Sequence, residues 1–279
     1  MVLNGELDLP STQCVLRTNI CATKGIPILR KFMAANNIPS NGDVISELKE
    51  YLGVSTEYDV WNHELIRAFV NDKVVNHIHK MYFKSPGPHS STSLLSNVNI
   101  DNVLSQWAFH SDQLFGKKLK HIDFHMADFM HSNTELRRLD ILEEVIKPGY
   151  KSMCIVFNTD VSSGPGKHWL CVYGDFAHAG TVEDPYVLEY FNSSGKAMMK
   201  SVNEWMIQHK KKLLEKGIYL DYIYPLLSKP IQKSRTECGM WSLIYIRSRL
   251  EGKSPTFLYD AKMDDIDMIR YRRYVFLVK

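Results

Sequence analysis

The stretch Arg235-Thr-Glu-Cys-Gly-Met-Trp-Ser-Leu243 passes from polar residues into an apolar sequence that continues to Leu250. This change predicts that a loop ends and a helix, Thr236 to Leu250, begins close to Cys238. A thiol at a helix N-terminus lies beside unpaired backbone N–H groups and the positive end of the helix dipole. Both favour the thiolate, which is the nucleophilic form of cysteine. Cys238 is therefore a candidate nucleophile, although an unreactive buried thiol explains this residue alone equally well.

Three polar residues upstream can complete a reactive site around this thiol. His168 follows a glycine-rich turn at the start of a predicted strand and can supply the base that cysteine chemistry needs. Asn192 ends another predicted strand, and its amide oxygen can fix the tautomer of an imidazole. The side-chain amide of Gln232 can join the backbone N–H of Cys238 in an oxyanion hole. Gly239 leaves room for a substrate backbone.

Each of these residues also has an ordinary explanation when it is taken alone. A single histidine is more often a surface residue, and the sequence Asn-Ser-Ser-Gly that begins at Asn192 is good turn chemistry. Gln232 is a polar residue in a lysine-bearing loop. The four positions support one another because cysteine catalysis needs a base and an oriented imidazole.

The second part of the chain alternates between strand and helix patterns. Short apolar runs bounded by Gly, Asp, Asn and Ser predict strands at Met153–Phe157, Trp169–Tyr173, Val187–Phe191 and Tyr219–Tyr224. Apolar residues at helical spacing predict an amphipathic helix, Lys196–Lys216, and a last helix followed by an extended tail, Asp264–Val278. The predicted fold class is therefore α+β.

The first part of the chain has a helical pattern throughout. Apolar residues predict a helix around residues 28–32, a second over residues 44–52, and a long third helix from Val60 to about Tyr82. Residues 84–93 contain two prolines, a glycine and several serines, which is typical of a linker or exposed loop. We therefore predict a helical N-terminal arm, residues 1–83, and a second domain, residues 84–279. In that domain, Asn99 or Asp101 can cap a short helix that ends at Trp107.

The composition excludes several classes of protein. Apolar residues make up 44% and charged residues 23% of the 279 residues, which is typical of a folded globular chain. The net charge of +3 is too small to indicate nucleic-acid binding. The basic clusters Lys210–Lys212 and Arg270–Arg273 lie in predicted helices, where we expect solvated faces. The sequence contains no long apolar run of the length that spans a membrane, so we expect neither a nucleic-acid nor a membrane partner.

The cysteines and the N-terminus bear on the cellular compartment. The first ten residues carry Asn4, Glu6 and Asp8 where a secretory signal needs a basic start and an apolar core. We therefore expect the protein on the reducing side of the membrane. The five cysteines, at positions 14, 21, 154, 171 and 238, fit neither a disulfide framework nor a zinc ribbon. Reduced thiols are expected.

One other motif invites a metal-site hypothesis. In His121-Ile-Asp-Phe-His125, two histidines stand four residues apart, and Asp128 and His131 follow. On a helix this spacing can chelate zinc. However, the glutamate of the zinc-protease motif is missing, and Phe124 and Phe129 indicate core packing. We therefore predict no metal and no other cofactor.

Taken together, the order His168, Asn192, Gln232, Cys238 resembles the adenain and SUMO-protease superfamily of cysteine proteases (clan CE) and reverses the order found in papain. The local motifs are similar as well: Lys167-His-Trp-Leu170, Glu189-Tyr-Phe-Asn-Ser-Ser-Gly195 and Glu237-Cys-Gly239. The branch of polyprotein-processing proteases found in African swine fever virus is most similar. It resembles this chain from about Phe83 onward, at Asn158-Thr-Asp160, Pro86-Gly-Pro88, Asn99-Ile-Asp101 and Tyr245-Ile-Arg-Ser-Arg-Leu250. SUMO proteases have aspartate, and adenain has glutamate, at the position of Asn192.

The resemblance implies both a fold and a function. The expected fold is a papain-type core, a mixed sheet flanked by helices. The expected activity is cleavage after Gly-Gly, with Trp169 lining a channel that admits only glycines and with His168, Asn192, Gln232 and Cys238 in the roles given above. Expected substrates are viral structural polyproteins with Gly-Gly-X sites, cut during virion maturation. The expected locations are assembly sites in the host cytoplasm and the virion.

Three alternatives remain open at this point. A deSUMOylase or deubiquitinase would act on ubiquitin-like proteins, whose tails also end in Gly-Gly. A bacterial type of acetyltransferase uses the same Cys–His arrangement. A binding module that has lost its activity is the third alternative, and the intact set of four residues argues against it.

Overall fold

The structure is a computed structural model that describes residue 7 and residues 12–16, 18–40, 42–88, 90 and 92–277. Most of the N-terminal segment in which we predicted no signal peptide, and Val278 of the predicted tail, lie outside the described residues. The chain forms two compact units. One contains described residues between 12 and 86 together with residues 274–277, and the other contains those between 87 and 273. The division into domains at residues 83 and 84 stays a prediction.

The smaller unit is helical. A short 3₁₀ turn, Thr23–Gly25, leads into five helices: α1 Ile26–Ala35, α2 Val44–Leu52, α3 Glu57–Asn62, α4 Glu64–Val70 and α5 Asp72–Tyr82. Their apolar faces meet around the buried side chains of Leu29, Phe32, Met33, Leu48 and Trp61. A bridge between residues Pro86 and Leu277 adds the end of the chain to this unit.

The prediction of one long helix from Val60 to Tyr82 was wrong. Two residues break it into α3, α4 and α5. His63 has extended backbone angles, and its ring nitrogen accepts the Leu65 N–H at 3.3 Å. Asn71 has a φ of 82°, and its side chain accepts the Lys73 N–H at 2.8 Å. Both side chains cap the next helix, and such local capping competes with continuation of a helix.

The expectation that all five thiols are reduced was also wrong. Cys14 and Cys21 form a disulfide, and the other three cysteines are free and buried. The intervening chain turns back so that the two Cα atoms lie 4.9 Å apart, within the range that a disulfide can bridge. The buried carboxylate of Glu57 holds this turn by accepting the backbone N–H groups of Cys21 at 2.7 Å and Ala22 at 2.9 Å.

The larger unit contains a five-stranded mixed sheet, in agreement with the α+β prediction. The strands lie in chain order: β1 Leu119–Met126, β2 Ser152–Asn158, β3 Trp169–Asp175, β4 Tyr186–Phe191 and β5 Leu220–Ile223. The three central strands are antiparallel, and each edge strand runs parallel to its neighbour. β2 is buried along its whole length, which explains its continuous apolar sequence.

Strand β1 was not predicted from the sequence. It is an edge strand, and its sequence Leu-Lys-His-Ile-Asp-Phe-His-Met has no simple alternation of apolar and polar residues. A change of register between Ile122 and His125 interrupts its pairing with β2. Such an irregularity changes which side chains face the core and so hides the period of two.

Helices cover the sheet. They are α6 Asn97–Phe109, α7 Ser111–Phe115, α8 Glu135–Arg138, α9 Lys200–Leu214, α10 Cys238–Leu250, α11 Phe257–Asp260 and α12 Asp265–Val275, with a π-helical turn at Leu142–Ile146. α10 is entirely buried and packs against β3, whereas α9 packs its apolar face into the core around Trp205. Ser96, rather than Asn99 or Asp101, caps α6, because the hydroxyl of Ser96 accepts the Asn99 N–H and Asn99 bonds back to the Ser96 N–H. Within the described part of the chain, no helix combines the length and apolarity needed to cross a bilayer.

Candidate active site

Cys238 is the first residue of α10, as the sequence predicted to within two residues, and only 1% of its surface is exposed. The backbone N–H groups of Trp169, Gly239 and Cys238 itself favour the thiolate. The interaction with Trp169 places the thiol beside the first residue of β3. Burial outweighs these donors and raises the pKa of the Cys238 thiol above its ordinary value.

His168 directly precedes β3. The candidate base therefore lies next to Trp169, whose backbone N–H faces the Cys238 thiol. The loop before it is tied to the sheet. Thr159 N–H donates to the His168 carbonyl at 2.9 Å, and Lys167 N–H donates to Asn158 Oδ1 at 2.9 Å. Burial lowers the pKa of His168, the hydrogen bond to Asn192 raises it, and the nearby positive charge of Lys196 lowers it further.

Asn192 fixes the tautomer of His168. Asn192 Oδ1 lies 2.9 Å from His168 Nε2 and also accepts the backbone N–H of Ser194 at 3.1 Å. Because a backbone N–H can only donate, the atom that it meets must be the amide oxygen. His168 Nε2 must then carry a hydrogen, which leaves Nδ1 of the neutral ring as the basic nitrogen.

Gln232 is oriented by a similar argument. Its Nε2 donates to the carbonyl of Ser234 at 2.8 Å, and its Oε1 accepts the hydroxyl of Ser193 at 2.6 Å. A carbonyl can only accept, so the nitrogen is identified, and a side-chain amide has a second N–H to offer. Ser193 follows Asn192, and its own carbonyl accepts the Gln232 N–H at 3.1 Å. The predicted orienting residue and the predicted oxyanion donor are therefore joined by one turn.

Gly195 allows this turn to lie against the loop that carries Gln232. Its φ is +66°, a backbone conformation that favours glycine, and an added Cβ would lie 2.7 Å from the backbone nitrogen of Pro230. Ser228 N–H donates to the Gly195 carbonyl at 2.9 Å. This close packing gives a structural reason for the Ser-Ser-Gly sequence after Asn192.

The electrostatics of the pair favour a neutral resting state. The pKa of Cys238 is raised and that of His168 is lowered, so both shifts oppose a thiolate–imidazolium ion pair. Asn192 supplies a dipole but no formal negative charge to stabilise the imidazolium. Proton transfer from sulfur to Nδ1 is therefore expected to accompany nucleophilic attack rather than to precede it.

A buried ion pair lies next to the candidate nucleophile, and the sequence did not reveal it. Glu237, the residue before Cys238, is fully buried. Its carboxylate accepts hydrogen bonds from Arg272 Nε at 2.9 Å and from Arg272 Nη2 at 3.0 Å. Arg272 is only 6% exposed, so the prediction that residues 270–273 form a solvated face was wrong at this position. Glu237 raises the pKa of Cys238, and the Arg272 guanidinium balances that negative charge.

Asp265, at the start of α12, holds the loop between Gln232 and Cys238. One carboxylate oxygen accepts the backbone N–H groups of Lys233 at 2.8 Å and Ser234 at 2.7 Å. The other accepts the indole N–H of Trp241 at 2.8 Å. Helix α12 therefore positions both the candidate nucleophile and the candidate oxyanion donor. No local motif marks this role, because the partners are more than 20 residues apart.

Trp169 and Gly239 meet at Leu95. The Trp169 indole N–H donates to the Leu95 carbonyl at 2.9 Å, and the Phe124 ring packs edge-on at 6.0 Å. A Cβ added to Gly239 would lie 3.0 Å from the Leu95 Cβ. In this structure Leu95, rather than open space, occupies the room that the glycine provides. Leu95 is therefore a residue of the site that sequence reasoning missed.

A pocket lies on the other side of Asn192. It is a narrow crevice without room for a water molecule, and it is lined by Tyr190, Asn192, Lys196, Tyr224, Leu226 and Leu227. Its lining is aromatic and aliphatic, with the exposed Lys196 as its one cationic residue.

The two histidines of the motif that was weighed as a possible metal site do not lie on a helix. His121 and His125 lie on strand β1, where residues four apart are separated by about 13 Å along the strand. In the described residues, two other groups gather potential ligand atoms: Cys14, Cys21 and Glu57, and Asp101, His121 and Asp123. The sulfur atoms of the first group are joined in the disulfide.

Comparison with known proteins gives a consistent result. No protein-family model matches the chain. A cysteine protease of African swine fever virus is 32% identical over 241 residues, covering 83% of this chain and 86% of the relative. A putative thiol protease of Acanthamoeba polyphaga mimivirus is 26% identical over 172 residues, covering 61% of this chain and 52% of that protein. The crystal structure of an African swine fever virus protease superposes with a TM-score of 0.71 at 26% identity and 98% coverage of both chains.

These similarities define the class of the protein: it is a cysteine protease with a mixed sheet and flanking helices, the fold of the African swine fever virus protease. More specifically, the chain belongs to the family of the African swine fever virus cysteine protease. In one isolate of that virus the relative is named a SUMO-1 cysteine protease, and it is 32% identical over 82% of this chain. The predicted family and enzyme class are confirmed.

Proposed function

We propose that the protein is a viral endopeptidase that cuts structural polyproteins after Gly-Gly, with Cys238 as nucleophile and His168 as base. The observation that carries the proposal is the hydrogen bond from His168 Nε2 to Asn192 Oδ1. This hydrogen bond leaves the basic Nδ1 on the side of the ring away from Asn192. The next residue, Trp169, directs its backbone N–H at the Cys238 sulfur. Asn192 is the orienting residue and Gln232 the oxyanion donor.

The mechanism follows from these assignments. His168 Nδ1 takes the proton from Cys238 Sγ as the sulfur attacks the carbonyl carbon of the scissile peptide bond. The resulting oxyanion accepts hydrogen bonds from the Cys238 N–H and the second N–H of Gln232 Nε2. The imidazolium returns its proton to the departing amine, which leaves a thioester on Cys238. Water, deprotonated by Nδ1, hydrolyses the thioester and restores the free thiol.

The preference for Gly-Gly rests on the resemblance and on the packing beside Cys238. Trp169 is 8% exposed, and its indole is fixed by Leu95 and Phe124. Leu95 in turn fills the space next to Gly239. A rigid wall of this kind next to the nucleophile favours residues without side chains.

The relatives come from viruses, and this supports the sites of action that we propose. We place the activity at assembly sites in the host cytoplasm and in the virion, where structural polyproteins mature. No cofactor is required by the mechanism, because the base, the nucleophile and the oxyanion donors are all side chains or backbone groups of this chain.

The test is cleavage of a fluorogenic peptide ending in Gly-Gly, with Cys238→Ser and His168→Ala as variants. His178→Ala is a matched control, because His178 is an exposed histidine that pairs with Asp184 at 2.6 Å outside the site. We expect turnover by the wild type and by the control, and losses of at least about 10³-fold in both site variants. Equal turnover in Cys238→Ser would refute the assignment.

A second candidate function is removal of ubiquitin-like proteins, which the name of the SUMO-1 cysteine protease relative favours. A folded SUMO precursor and an unfolded polyprotein junction with the same Gly-Gly sequence separate the two. Faster cleavage of the folded precursor would support deconjugation. Equal or faster cleavage of the junction supports the endopeptidase. Transfer of labelled acetyl groups from acetyl-CoA, with no peptide cleavage, would instead identify an acetyltransferase.

A further inference from the structure

Three potential metal ligands from two elements converge at the edge of the sheet. His121 and Asp123 lie two residues apart on β1, and their side chains approach each other. Asp101 comes from α6, which packs against β1. His121 Nε2 lies 3.4 Å from Asp101 Oδ1 and 3.9 Å from Asp123 Oδ1. One ligand atom from each of the three residues lies within 4.8 Å of the others.

The imidazole of His121 points into this group from a buried position. Its side chain is 6% exposed, and among the described residues its Nε2 atom has no hydrogen-bond partner. A buried ring nitrogen without a partner costs free energy unless a hydrogen-bonding group or a metal ion binds it. Asp101 Oδ1 is already engaged by the backbone N–H of Phe124 at 3.2 Å. The carboxylate is thereby fixed at the strand, next to a ring nitrogen that it does not satisfy.

The second ring nitrogen indicates which tautomer suits a ligand. His121 Nδ1 lies 3.8 Å from the sulfur of Cys154, its partner residue on β2. A cysteine sulfur can accept a weak hydrogen bond from Nδ1–H at this distance. That arrangement leaves the lone pair of Nε2 directed at the carboxylates. Histidine ligands of metals ordinarily donate their other N–H in this way.

The distances fit a small divalent cation. Zinc bound tetrahedrally at about 2.0–2.1 Å needs donor atoms about 3.3–3.4 Å apart. The pair formed by His121 and Asp101 already meets this spacing at 3.4 Å. Asp123 Oδ1, at 3.9 Å from His121 Nε2, must move closer, and its side chain is 77% exposed and so has room to do so. The same exposure gives an ion a path from solvent.

We propose that Asp101, His121 and Asp123 form a divalent-cation site that prefers Zn²⁺ and lies apart from the catalytic residues. One imidazole and two carboxylates favour Zn²⁺ over Mg²⁺, which prefers oxygen ligands only. The fourth position is open to water. An ion bound there ties α6 to the edge strand β1. It also anchors the segment that carries Phe124, the ring that packs against Trp169.

The experiment must exclude zinc binding to the catalytic thiol and to reduced Cys14 and Cys21. We therefore use the full chain with Cys238→Ser, stripped with EDTA and kept without reductant so that the disulfide remains. Isothermal titration with ZnCl₂ and MgCl₂ measures stoichiometry and affinity, and thermal unfolding is followed in parallel. Co²⁺ provides an independent signal, because its visible absorption reports tetrahedral coordination.

We expect one Zn²⁺ per chain, a higher unfolding temperature with Zn²⁺ and no effect of equimolar Mg²⁺. Asp123→Asn should weaken Zn²⁺ binding at least tenfold and remove the Co²⁺ spectrum. Since Asp123 is exposed, this variant tests the site even if His121→Gln fails to fold. Asp184→Asn is the matched control, because Asp184 pairs with the exposed His178. Absence of stoichiometric binding, or equal affinity in Asp123→Asn, would overturn the proposal.

Discussion

Removing Arg272 should destabilise the larger unit and also make Cys238 less reactive. In Arg272→Met the Glu237 carboxylate loses both guanidinium bonds, of 2.9 and 3.0 Å, while it stays fully buried. Breaking a buried pair on one side costs about 3–5 kcal/mol, because an uncompensated charge remains. Domains have total stabilities of about 5–15 kcal/mol, so this loss is a large fraction of the whole.

The same change should raise the pKa of Cys238. Glu237 already disfavours the thiolate, and Arg272 is the cation that balances it. Without Arg272, the thiol needs a higher pH to ionise. The assays are urea unfolding for the free energy and the rate of iodoacetamide alkylation of Cys238 across pH. The alkylation profile of Arg272→Met should move to higher pH.

Two further variants make this prediction specific. In the double variant Glu237→Gln/Arg272→Met no charge remains, so most of the lost stability should return and the alkylation profile should move back. Arg270→Met is the matched control on the same helix, because Arg270 is 63% exposed and pairs with Asp267 at 3.4 Å. An exposed pair contributes about 0–1 kcal/mol. If Arg272→Met lowered the free energy of unfolding no more than Arg270→Met does, the role given to the buried pair would be wrong.

Three more predictions concern the orienting residue, the oxyanion donor and the disulfide. Asn192→Asp adds a negative charge that favours the imidazolium and raises the pKa of His168. In the proposed mechanism His168 acts as the base in its neutral form, so kcat/KM should begin to fall at a higher pH on the acidic side of its pH profile. An unchanged acidic side would contradict a resting state in which Cys238 and His168 are both neutral. Gln232→Ala should lower kcat by about 10²–10³-fold with KM little changed, and a change in KM alone would assign Gln232 to substrate binding. Replacing Cys14 and Cys21 by serine should cost about 2 kcal/mol, as expected for a loop with a sequence separation of 7, measured by thermal unfolding; unchanged unfolding would show that the bridge contributes nothing.

The candidate site residues could be singled out because each stands at an end of an element with a clear local pattern, although their catalytic roles stay predictions. Cys238 marks the start of an apolar helix, His168 precedes a strand, and Asn192 ends one. The order of these elements in the sequence matches their order in the sheet. Motif resemblance could therefore supply the family and the fold class, which the comparisons confirm. The Gly-Gly preference stays a prediction.

The supporting residues were not predictable because their partners are distant in sequence. Arg272 resembles any residue of a basic helix until Glu237 is found opposite it, 35 residues away. Leu95 gives no signal of its own, and only the packing at Gly239 reveals its role. Strand β1 lacks a regular alternation because of its irregular register with β2. The breaks at His63 and Asn71 depend on side-chain caps that a helical spacing pattern does not detect.

The most direct test of the central claim is to identify the residue that a Gly-Gly electrophile modifies. A peptide ending in Gly-Gly-vinyl sulfone is incubated with the wild type, and the adduct is located by mass spectrometry. Cys154 and Cys171 serve as internal controls, because both are free, buried thiols outside the proposed site. We predict one adduct, on Cys238, whose formation is slowed strongly by His168→Ala. An adduct on another cysteine, or formation at the same rate without His168, would contradict the proposed pair.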